Sequence, residues 1–264
     1  MDRQQTNYSK YGLLIGVLLV LTEYYSYSLF FSYANPDLWE NKIPYKYYFY
    51  VTFLLGTIVL IVILFRQKLK DEITNNAENF GDFKNNIGRL FGIAIFGLGT
   101  YIIYYVLKAR IFSEFAIFQF VDNNLFVRSA SKPFAIITQI AYPIVLTFIY
   151  QGFLLCGLSK RIGYRKSTIL ISVFYGYWSQ NIIGGTVLNL FMNHVFQGSK
   201  NIFYPILLSI ILNLTYTVGY IIKPEIWLLK ADSPSYNDEL IKGLILTVIG
   251  LPIVVPTLTN IFKK

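Results

Sequence analysis

The chain alternates long apolar runs with short polar stretches, and it almost never alternates apolar and polar residues one by one. The runs fall at about 11–33, 47–65, 90–107, 134–158, 167–197, 202–222 and 240–262. Runs near twenty residues match the hydrocarbon thickness of a bilayer crossed by an α-helix. The run at 167–197 is too long for one crossing and contains Gln180-Asn181 and Gly184-Gly185, so it is expected to be two helices divided near those residues. The pattern therefore predicts an all-α polytopic membrane protein of about eight transmembrane helices. Its 264 residues form a single integral membrane domain. Residues 11–122 supply N-terminal helices and an interfacial segment, 123–222 a core, and 223–264 a loop and the last helix.

The polar stretches refine this picture. Asn35-Pro36 breaks the chain after the first run. Ser32-Tyr33-Ala34 passes loosely as a signal-peptide cleavage site, but the run before it is long and bulky and contains Glu23, so a retained first helix is expected. Glu23 is expected at the interface among Tyr24, Tyr25 and Tyr27, a buried partner for a cation or proton being the alternative. Asn75-Asn76, Gly81 and Asn85-Asn86 mark the stretch from Arg66 to Arg89 as a loop, with room for a short surface helix. Between Lys108 and Lys132, aromatic and acidic residues mix, as in an interfacial helix. Pro252 and Pro256 are expected to bend the last helix.

Composition supports the membrane reading. The chain is 55% hydrophobic and 14% charged, whereas a soluble domain carries about a quarter charged residues. The net charge of +9 comes from cations in short loops beside apolar runs. There they orient helices and meet anionic lipid; with no soluble basic face to present, nucleic acid is excluded as a partner. With eight spans the polar stretches alternate between the two sides. The side holding both termini, Arg66–Arg89 and the cluster Lys160, Arg161, Arg165 and Lys166 then takes 14 of the 23 Lys and Arg residues, which predicts cytoplasmic termini in the plasma membrane. The single cysteine, Cys156, rules out an internal disulfide.

The candidate chemistry lies in the polar residues of the core runs. Thr147 and Gln151 interrupt PIVLTFIYQGFLLCGLSKRIG, Pro143 to Gly163, and their spacing of four puts them on one helical face. A face with two hydrogen-bonding side chains in an apolar helix points at other helices. This stretch resembles the first motif of the CAAX protease and bacteriocin-processing (CPBP, or Abi) family, which reads Pro-Ile-x-Glu-Glu-x-x-x-Arg-Gly. Pro143, Ile144 and Gly152 keep the outline, while Leu146 and Thr147 take the glutamate positions and Gln151 the arginine position. The family's second motif, Phe-x-x-x-His, is similar to Tyr175-Gly176-Tyr177-Trp178-Ser179, with Ser179 in place of histidine. Its third, His-x-x-x-Asn entered through Gly-Ser and a proline, is similar to Gly198-Ser199, Pro205 and Ser209 to Asn213, with Ser209 in place of histidine and Asn213 retained.

The resemblance spans about Asn123 to Asn213. It implies a CPBP-like four-helix core from the fourth to the seventh helix, in a family of intramembrane endopeptidases whose glutamates and histidines are thought to hold a metal or activate water. Such chemistry requires several N, O or S ligands and an acid or base. The chain has one histidine, His194, outside the motifs, and no Asp or Glu between Asn123 and Lys223. No metal, no cofactor and no catalytic residue are therefore expected at Leu146, Thr147, Gln151, Tyr175, Ser179, Ser209 and Asn213. Ser172, Ser179 and Ser209 could act as nucleophiles only with a base beside them.

Thr147, Gln151, Ser179, Ser209 and Asn213 are expected either to bond across helices, each contributing ~0.6 to ~2 kcal/mol, or to bind a partner peptide. The expected function is a non-catalytic CPBP-like membrane protein that binds a peptide or membrane-protein partner. The resemblance suggests bacteriocin self-immunity or an accessory role in a Gram-positive bacterium. The alternatives are a divergent CPBP protease or peptide-processing enzyme, and a transporter subunit. Against the last stands the lack of paired intramembrane charges or a repeat.

Overall fold

In the computed structural model, residues 55–59, 61–62, 83–111, 132–179, 181–222 and 236–263 are described, and among them there is no β-strand. The helices are α1 (Phe83–Ile111), α2 (Lys132–Thr147, continued through Phe148–Leu155 and Cys156–Ile162), α3 (Tyr164–Trp178), α4 (Ile182–Ser199), α5 (Phe203–Ile222) and α6 (Tyr236–Lys263). Residues 55–59 and 61–62 are also helical, within the second apolar run. The first run with Glu23, the loops at 34–46 and 66–82, most of the interfacial segment and the loop at 223–235 lie outside the described residues.

Three helices are long and apolar enough to cross a membrane, over Asn85–Tyr104, Ile140–Ile162 and Asn237–Phe262. Phe203–Thr215 is a shorter apolar helix. The starts of the helices depart from the edges of the apolar runs. α1 begins at Phe83, so Asn85-Asn86 and Arg89, expected in a loop, lie in its first turns. Exposed polar residues are tolerated at a helix end where water can serve the open backbone groups. α6 begins at Tyr236, with Asp238 and Glu239 in its first turn, where carboxylates offset the positive end of the helix dipole. It stays helical through Pro252 and Pro256.

Each short connection has a local cause. Gly163 joins α2 to α3 at φ 83°, a conformation that only glycine adopts without strain. Its N–H donates to Ser159 O at 3.0 Å, closing α2. The break between α3 and α4 falls at Ser179 to Asn181. Asn181 Oδ1 accepts from Gly184 N at 3.1 Å and caps α4, while its Nδ2 donates to Gly97 O on α1 at 2.9 Å. Thr100 Oγ1 donates to the same Asn181 oxygen at 3.1 Å. Gly184-Gly185 thus belongs to the first turn of α4 rather than to the break. Asn201 Oδ1 accepts from Phe203 N at 2.8 Å at the start of α5.

Packing makes two apolar clusters that share α4 and α5. One gathers the middle of α2 (Phe148, Ile149, Tyr150, Phe153, Leu155) with Ile171, Phe196, Ile202 and Ile206. The other gathers Leu90, Ile93 and Phe96 of α1 with Phe191, Val195 and Leu208, and takes in Val254 of α6. α1 and α6 run antiparallel in close contact, as the matched pairs Phe96–Gly250 and Gly99–Thr247 require. A Cβ on Gly250 would lie 2.6 Å from Phe96 Cβ and 2.8 Å from its Cα, and one on Gly99 would lie 2.5 Å from Thr247 N. Small residues are what allow two helix backbones to approach this far. The opposite face of α6 exposes Ile241, Ile245, Val248 and Val255, with Val248 63% exposed, a surface suited to lipid.

One end of the bundle carries exposed cations. Arg165 Nη2 donates to Phe262 O at 3.0 Å, and its guanidinium lies 6.0 Å from the centre of the Phe262 ring. This contact sets the end of α6 beside the α2–α3 turn and its exposed Lys160, Arg161 and Lys166. Replacing Gly250 by leucine should push α1 and α6 apart and lower stability by about 2 kcal/mol. Reversible unfolding in mixed micelles measures this, with Gly88→Leu, whose Cβ would meet nothing within 4 Å, as the control. Equal stability of the two variants would contradict the close approach.

Candidate functional site

The polar residues of α2 sit where that helix changes its winding. Phe148–Leu155 is a π-helical segment, and all eight of its residues are buried, Gln151 and Gly152 among them. Such segments insert an extra residue into a helical turn and are frequent at functional sites. Gly152 lets the segment press on the α4–α5 connection, since a Cβ there would lie 3.1 Å from Ile202 Cδ1.

Gln151 opens a buried amide network. Its Nε2 donates to Asn193 Oδ1 at 3.1 Å. Asn193 Nδ2 donates to Ser172 Oγ at 3.1 Å and to Asn189 Oδ1 at 3.0 Å. Ser172 Oγ donates to the same Asn189 oxygen at 3.2 Å. The backbone carbonyl of Asn193 accepts from Tyr164 OH at 2.7 Å. Burial pushes the Tyr164 hydroxyl above the usual phenol range, which keeps it protonated as a donor. The network joins α2, α3 and α4 without any charged group.

Beside it lies a cavity of about 50 Å³ between α2, α3, α4 and α5. Leu146, Thr147, Gln151, Tyr175, Asn189, Ser209 and Asn213 line it, together with Tyr142, Pro143, Leu188, Met192 and Leu212. Six of the seven positions singled out from the sequence therefore face one space. Ser179 is the exception. It lies in the α3–α4 turn, where its Oγ donates to Gly176 O at 3.1 Å.

Within the lining, the network orients the amides relative to one another. Asn189 Oδ1 accepts two hydrogen bonds, so its Nδ2 is the end left over. Gln151 Nε2 is held by Asn193, so its Oε1 is left over. Neither Asn189 Nδ2, Gln151 Oε1 nor Thr147 Oγ1 has a hydrogen-bond partner among the described residues, although all three side chains are only 3% exposed.

The three serines are occupied by neutral partners. Ser172 donates to an amide oxygen, Ser179 to a backbone carbonyl, and Ser209 Oγ lies 3.8 Å from Met192 Sδ. None of these partners is a base able to take the proton of a nucleophile. Among the described residues no group of three or more His, Cys, Asp and Glu comes together. His194 is half-buried on α4 and does not line the cavity.

Sequence reasoning passed over Asn189 and Asn193. The signal was present, since the two are four apart in the apolar stretch LNLFMN, the same spacing that marks Thr147 and Gln151. No protein-family model matches the chain, and no curated protein or solved structure matches it either. Replacing Asn193 by leucine strands Gln151 Nε2 and leaves Ser172 and Asn189 only each other. It should lower stability by about 2 kcal/mol in mixed-micelle unfolding, while Ser209→Ala stays near neutral. A neutral Asn193→Leu would show that the network does not hold the helices.

Proposed function

We propose that this chain is a multi-pass membrane protein of CPBP-like fold with about eight spans, which binds a membrane peptide or membrane-protein partner without cleaving it. Self-immunity to a bacteriocin-like peptide is the specific role, as the family resemblance suggests. The observation that carries the reading is the meeting of positions from three separate motifs, Thr147 and Gln151, Tyr175, and Ser209 and Asn213, around one cavity. The side chains at those positions are all uncharged, and the core from Asn123 to Lys223 has no carboxylate to move a proton. A neutral polar cavity among helices fits recognition by hydrogen bonding better than hydrolysis.

The placement is the plasma membrane, with both termini in the cytoplasm. The exposed cations at the α2–α3 turn, brought beside the end of α6 by Arg165, support this side through the excess of Lys and Arg on cytoplasmic ends.

Expression in a sensitive Gram-positive strain should raise the inhibitory concentration of any bacteriocin-like peptide encoded beside the gene by about tenfold or more, and no protection would end the immunity role. Purified protein should leave that peptide intact with or without a chelator; chelator-sensitive cleavage would restore the protease reading. In a Cys156→Ala background, a cysteine at Lys160 should react with a membrane-impermeant maleimide only after the cells are opened. Labelling of intact cells would reverse the orientation.

A further inference from the structure

The cavity offers more than polarity; it offers a defined pair of opposite hydrogen-bonding ends. Gln151 Oε1 is an acceptor, Asn189 Nδ2 a donor, and Thr147 Oγ1 can serve as either. All three belong to side chains 3% exposed and none has a partner among the described residues. None of the three is among the sealed, unpaired atoms of the described interior, so each opens onto the cavity, and an entering group that failed to pair them would strand each at a cost of about 1–3 kcal/mol.

The chemistry of that ligand follows from the lining. A metal cation would be repelled by the Asn189 N–H groups, which the bonds from Ser172 and Asn193 to Asn189 Oδ1 turn toward the cavity. A carboxylate would find no Lys, Arg or His in the lining. An apolar side chain would leave all three polar atoms unpaired. An amide matches, because its carbonyl accepts from Asn189 and Thr147 while its N–H donates to Gln151. A cavity of about 50 Å³ suits a small polar group rather than a whole side chain or a segment of helix.

We infer that the cavity between α2, α3, α4 and α5 is a receptor for one uncharged amide of a partner's membrane helix. This rests on the proposed partner-binding function and specifies how the partner is read. The way in passes the half-buried Tyr142, Leu188, Ser209 and Asn213, which form the less buried part of the lining. The amide has two sources, a side-chain carboxamide or a main-chain peptide group freed from its helix by a proline.

The test uses the full-length protein, donor-labelled, in phosphatidylcholine vesicles with acceptor-labelled leucine-rich transmembrane peptides, binding being read by energy transfer. The peptides differ only at their centre, which is Leu, Asn, Asp or Pro. The Asn or the Pro peptide should bind about tenfold more tightly than the Leu peptide. A preference for Asn assigns the side chain, and a preference for Pro assigns the main chain.

The double variant Thr147→Val with Asn213→Leu should remove the preference. Neither side chain makes a hydrogen bond among the described residues, so the variant should unfold like the parent. Equal binding of the Leu, Asn and Pro peptides, no binding of any, an Asp peptide as good as the Asn peptide, or a preference that survives the double variant would each overturn the amide receptor. Protection in the sensitive strain would stand in those cases, and loss of protection with the Asn or Pro preference intact would overturn immunity alone.

Discussion

Asn193 lies fully buried in α4 and spends its whole side chain on three neighbours. Its oxygen accepts from Gln151 of α2, and its two N–H groups go to Ser172 of α3 and Asn189 one turn back in its own helix. Its backbone carbonyl takes a fourth bond from Tyr164 at the start of α3. In a low-dielectric interior such bonds fix direction as much as they stabilise, because a rotated amide would present like to like. The orientation of Asn193 therefore sets that of Gln151 and Asn189, and through them which polar atoms face the adjoining cavity.

This network needs helices held near one another by something other than polar attraction, and the apolar packing does that. Tyr150 and Phe153 in one apolar cluster and Phe191 with Leu90 in the other pack between the helices, each less than 2% exposed. Glycines then set how close the elements come, at Gly152 against Ile202 before α5 and at Gly99 and Gly250 between α1 and α6. Where lipid surrounds a bundle, burial of apolar area gives little net drive, so close van der Waals contact of this kind carries much of the cohesion.

Neutral amides and hydroxyls limit what the interior can do. They neither exchange protons near neutral pH nor hold a metal firmly, and a charged cluster in the same place would carry a large desolvation penalty. What they do well is discriminate hydrogen-bonding shape, since a mismatched group leaves a buried donor or acceptor unpaired. An interior of this composition is suited to recognition, and its selectivity would come from the fixed directions of a few N–H and C=O groups.

The sequence by itself determined the helical class, the long apolar helices and most of their extents, because run length and apolar periodicity are local properties. It also determined that the core carries no carboxylate, and it drew attention to Leu146, Thr147, Gln151, Tyr175, Ser179, Ser209 and Asn213. The ends of α1 and α6 were not legible, since polar residues such as Asn85 and Asp238 read as loop yet are stable in a first helical turn. Only the tertiary structure decided which polar residues share a space: Ser179, a candidate from the sequence, falls in the α3–α4 connection, while Asn189 and Asn193 enter the site from α4. The physical reason is that a residue's neighbours across a bundle depend on helix rotation and on backbone approach at glycines. Those are set by packing among residues far apart in the chain.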